Sequence, residues 1–192
     1  MTGGGPLIDA AAFDRFAVVL FGSSEVMAAV EAIRQQLPPS GRPILPAHVT
    51  VKGTFVNPVD IERTAEMISV VCAGWMPIEL TTARCQTWIE GAHVGAWLDV
   101  ESNNWLDGLQ EWLVLLLADH GETIYPGEAS GEFRPPLTIV QELPAALEPT
   151  VLATITATQH RFTWTAREVG LVGRRGGLAW ETLATFPLGA QV

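Results

Sequence analysis

Lysine, tyrosine and cysteine are nearly missing from this 192-residue chain: one lysine (Lys52), one tyrosine (Tyr125) and two cysteines (Cys72 and Cys85). Eleven basic residues, ten of them arginine, stand against 21 acidic ones, for a formal charge of −10 and a pI near 4.7. Tight sequence-independent binding of long nucleic acid draws on many Lys and Arg neutralising many phosphates, so that class is excluded, while a short or mononucleotide-sized phosphate ligand is not. The two cysteines show neither C-x-x-C nor Cys/His ligand spacing, which excludes a disulfide framework and a zinc site and fits reduced thiols in a cytoplasmic protein. The longest apolar run, Trp112 to Ala118, is far short of the ~20 residues needed to span a bilayer. No membrane partner is expected. Residues 1–8 carry no basic leader and are expected to be a flexible N-terminus.

What the chain does hold is apolar: 48% hydrophobic residues, seven tryptophans and a mean hydropathy of +0.25. That composition belongs to compact globular proteins. The length suggests a single domain over residues 1–192, or two intimately packed lobes, and hence one site. Phe16 to Phe21 reads as a buried strand, and Val26, Ala29, Val30, Ile33 and Leu37 recur at helical spacing before Pro38-Pro39. Ala47 to Phe55 alternates as a strand, and Asp60 is placed to cap a helix with Ile61, Ala65, Ile68, Val71 and Cys72 on its apolar face. Ile78 to Ile89 and Val94 to Val100 form a hairpin around Glu90-Gly91-Ala92-His93. A third helix carries Trp105, Leu106, Leu109, Trp112, Leu113, Leu116 and Leu117 on one face, with its tryptophans expected in the core. After a polar loop, Glu122 to Glu132, come a strand (Leu137 to Val140), a helix (Ala145 to Thr158) and two strands, Phe162 to Val172 and Leu178 to Phe186. The fold class is α+β: two similar lobes, one from each half of the chain, each a mainly antiparallel sheet with helices on its outer face and a central cleft between them.

The informative segment is Pro46-Ala47-His48-Val49-Thr50-Val51-Lys52-Gly53. On a strand, alternation turns Val49 and Val51 to the core and His48, Thr50 and Lys52 to the other face. A proton carrier titrating near neutrality, a hydroxyl and a cation then share one surface, the set needed to hold a phosphate and move a proton. Far downstream, Phe133-Arg134-Pro135-Pro136-Leu137-Thr138 carries another threonine, two residues after Pro136.

In these two segments the chain resembles the two-histidine phosphoesterase superfamily, which includes bacterial 2′,5′ RNA ligase and RNA 2′,3′-cyclic phosphodiesterase proteins. The resemblance implies a pair of His-x-Thr motifs facing one cleft, one histidine as general base and the other as general acid, with no metal and no cofactor. Carried over to this sequence, it makes His48, Thr50 and Thr138 the catalytic positions and leaves Pro136 without a proton to give. Arg134 shares the face of Pro136 and Thr138 and can hold a phosphate but not shuttle a proton. Tyr125 can stack on a base or donate to a phosphate. Lys52 is placed near the cleft. The partner so implied is a small nucleotide or an RNA end.

Two functions remain open on the sequence. One is a hydrolase or transferase acting on a 2′,3′-cyclic or 2′,5′ phosphodiester with His48 as the surviving acid or base; the other is a nucleotide- or phosphate-binding protein, weakly active or inactive because of Pro136. An unrelated α+β protein with an accidental His-x-Thr is the third. His93, His120 and His160 fall at a turn, a helix end and a strand entry, without metal spacing. Gly173-Arg174-Arg175-Gly176-Gly177 lacks the Lys-Ser/Thr of a phosphate loop and reads as a hairpin turn.

Overall fold

Each of the first three helices starts at a residue whose side-chain oxygen accepts from a free backbone N–H: Ser23 from Val26, Asp60 from Arg63, and Asn103 from Trp105 and Leu106. A computed structural model describes residues 12–39, 45–56, 60–119, 121–123, 135–158, 161–177 and 179–189. In it the chain runs β1 (Arg15–Phe21), α1 (Ser24–Arg34), β2 (His48–Val56), α2 (Ile61–Ala73), β3 (Ile78–Glu90), β4 (His93–Val100), α3 (Asn104–Leu116), β5 (Glu122–Thr123), β6 (Pro136–Pro144), α4 (Glu148–Ala157), β7 (Thr163–Ala166), β8 (Glu168–Arg174) and β9 (Trp180–Pro187). The expected N-terminal segment, Tyr125, Arg134, His120 and His160 lie outside the described residues.

All strand pairings are antiparallel, in the order β7-β3-β4-β6-β2-β1-β8-β9, with β5 added beside the end of β2. The sheet is mixed with helices as the sequence implies, but its two halves are not the two halves of the chain. Helices α1 and α4 pack on β6, β3 and β4, whereas α2 and α3 pack on β8, β9 and β2. Early and late segments therefore interleave. The buried apolar residues of all four helices join alternate strand residues such as Phe16, Val18, Leu20, Val49, Leu98, Leu137 and Leu171 in one core. The opposite face of the sheet carries a small cluster of Ala17, Val19, Leu45 and Val172 with Phe21 and Trp180 against it.

The stretch expected as one strand, Phe162 to Val172, is two. β7 pairs with β3 and β8 with β1, with Arg167 alone between them. In a flat sheet these strands would be six spacings apart, roughly 29 Å at ~4.8 Å each, whereas the connection spans only about 7 Å. The sheet must therefore curl until the two ends of its order approach, and Trp164 Nε1 on β7 donates to the Phe21 carbonyl on β1 (3.2 Å) across that approach.

On α3 the buried residues are Leu106, Leu109, Gln110 and Leu113, while Trp105 and Trp112 remain 57% and 56% exposed. The expectation that these tryptophans are core is corrected. They lie about 100° round the helix from Leu106 and Leu113, on the flank where Trp105 meets Trp75 edge to face (6.2 Å, 89°). In urea unfolding, Leu113→Ala is expected to cost about 2–5 kcal/mol. Trp112→Ala should shift stability by less than about 1 kcal/mol. The reverse order of costs would return the tryptophan stripe to the core.

Candidate active site

The two motif strands touch through one register pair, Val49 with Leu137, both fully buried. Antiparallel geometry then sets His48 beside Thr138 and Thr50 beside Pro136 on the face opposite that pair. Around Val49 and Leu137 the two Thr-containing triplets are related by a local two-fold, so position 136 is the counterpart of His48 and Thr138 the counterpart of Thr50. Side chains directly opposite on such a face have Cβ atoms about 4.5–5.5 Å apart. His48 and Thr138 keep 8% and 7% of their surface; Thr50 and Pro136 are half-buried.

Alternation fails one residue further on. β1 pairs Val19 with Thr50 but Val18 with Lys52, so β2 carries an extra residue between them. Lys52 is turned away from the surface shared by His48 and Thr50 and is 1% exposed, its Nζ 5.7 Å from the centroid of the core ring Phe55. Lys52, expected near the cleft, is thus buried beside the bulge.

His48 Nδ1 lies 2.8 Å from the Pro46 carbonyl oxygen. A carbonyl only accepts, so Nδ1 carries the hydrogen and Nε2 presents its lone pair. Burial pushes the imidazole down to about 4, opposed by the Pro46 carbonyl and helped by the Arg34 charge. His48 is thus neutral at pH 7 and equipped to accept a proton.

Arg34 was not among the residues singled out from sequence. At the end of α1 its Nε donates to Ile139 O (2.9 Å), Nη2 to Thr138 O (3.0 Å) and Nη1 to Leu45 O (3.1 Å). It ties the second motif strand to the segment entering the first, at the place where the ladder between them has ended. The β6 carbonyls it takes flank a second bulge, since β4 pairs Ala96 with Val140 but Trp97 with Thr138. The sequence signal was available: Arg34 follows Val30 by four residues, on the face that also holds Val26 and Ile33.

Beside Pro136 and Thr138 opens a pocket of about 1070 Å³, lined also by Arg84, Gln86, Trp88, Trp97 and Asp99. Trp88 and Trp97 form its aromatic wall (centroids 5.1 Å apart). Trp88 lies flat on Gly95, where an added Cβ would fall 2.0 Å from the indole ring. Exposed His93 reaches the rim of this pocket. No cluster of metal-ligating residues is found among the described residues. Burial pushes the thiols of Cys72 and Cys85 up to about 12 and about 11, the latter with help from Asp99, so neither supplies a thiolate.

Comparison with known proteins is decisive on family: the model of the 2′-5′ RNA ligase superfamily matches residues 23–178. The chain belongs to the 2′-5′ RNA ligase superfamily. Solved structures similar to this superfamily member include LigT of E. coli complexed with NADP+ (17% identity, TM-score 0.62, 92% of this chain and 99% of that one). Others are TT0787 of Thermus thermophilus (15%, 0.64, 93% and 100%) and Usb1 of Kluyveromyces marxianus with uridine monophosphate (12%, 0.51, 93% and 100%). At these identities they show a shared fold. No curated protein matches. Among the described residues no helix is long and apolar enough to cross a membrane.

Two outcomes test this geometry. His48 has a folded pKa below its ordinary 6.5, so as pH falls the unfolded chain takes up the proton first; stability is complete above about pH 6.5 and is lost toward pH 4. The loss amounts to about 3 kcal/mol, and His48→Gln should flatten that limb in denaturation curves taken from pH 4 to 7. Separately, Arg34→Met strands three carbonyls and is expected to cost about 2–4 kcal/mol by urea unfolding. A loss under about 0.5 kcal/mol would mean the strands are held without it.

Proposed function

We propose that this superfamily member binds a 2′,3′-cyclic or 2′,5′ phosphodiester of an RNA end or a nucleotide and acts on it with His48 as its acid–base group, Thr50 and Thr138 holding phosphate oxygens. The observation that carries this reading is the register: His48, Thr50, Thr138 and position 136 converge on one face around Val49 and Leu137. Neutral His48 with Nε2 free of the Pro46 contact is in the form a general base needs.

Pro136 favours a second reading, a phosphate- or nucleotide-binding protein with little turnover. Proline supplies no proton, and loss of one of two acid–base groups lowers rate by about 10²–10⁴-fold. Its place is structurally benign: as the first residue of β6 it forfeits no mid-strand N–H, so a histidine there should fold. Kinetics on a 2′,3′-cyclic nucleotide with the natural protein, Pro136→His and Pro136→His/His48→Ala decide between the readings. Pro136→His is expected to turn over faster than the natural protein, and the double variant to lose the gain. A folded Pro136→His variant with no gain would favour the binding protein. Robust turnover by a natural protein that is insensitive to His48→Ala would overturn both roles given to His48.

A further inference from the structure

The absent imidazole leaves two tasks, one of proton transfer and one of charge. Pro136 borders β4, where its cross-strand neighbour is Asp99. Leu98 and Leu137 are both fully buried, so Asp99 and Pro136 stand on the open face together. Asp99 accepts from Arg84 Nε (3.0 Å) and Gln86 Nε2 (3.2 Å) at one oxygen and from Trp97 Nε1 (2.9 Å) at the other. Burial would raise the Asp99 carboxyl, but these three donors and the Arg84 charge outweigh it and hold it below the ordinary carboxylate range. A carboxylate kept ionised by three donors has no proton to give. It can, however, anchor a cation.

Arg84 starts on β3, two strands from β6, or about 10 Å at ~4.8 Å per strand. The Nε contact with Asp99 carries its guanidinium over β4, one strand from Pro136. Among the described residues only Nε of Arg84 is taken up. Its two terminal nitrogens have no partner among these residues, and the side chain, 68% exposed, lines the same pocket as Thr138 and Pro136. A guanidinium fixed at Nε presents its outer edge as a fork of N–H donors, the geometry that matches two phosphate oxygens.

We infer that Arg84, oriented by Asp99, is a phosphate-binding residue of this pocket and supplies the positive charge that position 136 lacks. The inference rests on the function proposed above and adds the residue that holds the anion from the β3–β4 side. Arg84 neutralises the phosphoryl oxygens; it does not exchange protons, so proton transfer stays with His48.

The test is calorimetric titration with adenosine 2′-monophosphate of the natural protein, Arg84→Ala, Arg84→Lys, Asp99→Asn and Thr138→Ala, with thermal melts of each. Removing a charge-assisted contact of about 1.5–3 kcal/mol predicts a ten- to hundredfold weaker Kd for Arg84→Ala. Arg84→Lys should recover part of the loss, since it restores charge without the fork. Asp99→Asn should fall between the natural protein and Arg84→Ala, because the cation is kept but loses its anchor. The salt dependence of Kd should be shallower in Arg84→Ala than in the natural protein. The Arg84 side chain is 68% exposed and exposed pairs contribute little to folding, so the Arg84→Ala melt should be nearly unchanged; a large drop in the melt accompanied by unchanged binding would make Arg84 structural and overturn the inference. Loss of binding in Thr138→Ala with none in Arg84→Ala would overturn it too while leaving the proposed function standing. A natural protein that binds no nucleotide at all would overturn both.

Discussion

The seam between β2 and β6 is where the molecule is most lightly joined and most needs to be exact. One ladder pair, Val49 with Leu137, connects strands that elsewhere in the sheet share four to seven register pairs with their neighbours, except at the short β5. Arg34 makes up the difference: a single half-buried guanidinium bonds three carbonyls on the two sides of the seam. Because a guanidinium is planar and permanently charged, the three carbonyl positions are constrained together, in a way that three separate neutral donors would not achieve. The same charge, with burial, keeps His48 unprotonated. Spacing of the motifs and protonation of the histidine are thus coupled through one residue on α1.

That coupling makes the two sides of the site unlike one another. On the β2 side the imidazole is oriented by the Pro46 carbonyl and deprived of charge. On the β6 side the local two-fold places a proline at the equivalent position, with Thr138 beyond it on the same strand and Asp99, bonded by Arg84, Gln86 and Trp97, one strand away. Gly95 belongs to the same construction, since its missing Cβ is what lets Trp88 lie against the sheet and wall the pocket. The face therefore has a neutral imidazole on one side and an anchored cation with an aromatic wall on the other.

Helix faces, the Asp60 cap, the β3–β4 hairpin and both motif strands were legible in the sequence, because each is set by contacts within a few residues: periodicity, a capping oxygen, a turn dipeptide. The Val49–Leu137 register sets His48, Thr50 and Thr138 on one face. The burial of Lys52 was not legible, because a bulge is a property of two paired strands and one extra residue changes which face the next side chain takes. Trp105 and Trp112 were misplaced because a helix shows its apolar stripe in sequence but not which part of the stripe finds a partner.

The division follows from range. The sequence by itself determined the local elements, the acidic and cysteine-poor character, and the two short motif segments. Only the tertiary structure decided that Phe162 to Val172 is divided between opposite ends of the sheet order, that Arg34 closes the seam between the motifs, and that Asp99 and Arg84 stand beside Pro136. Each of these depends on groups far apart in the chain meeting at a fixed distance, and such meetings are settled by the curl and register of the whole sheet, which no local pattern encodes.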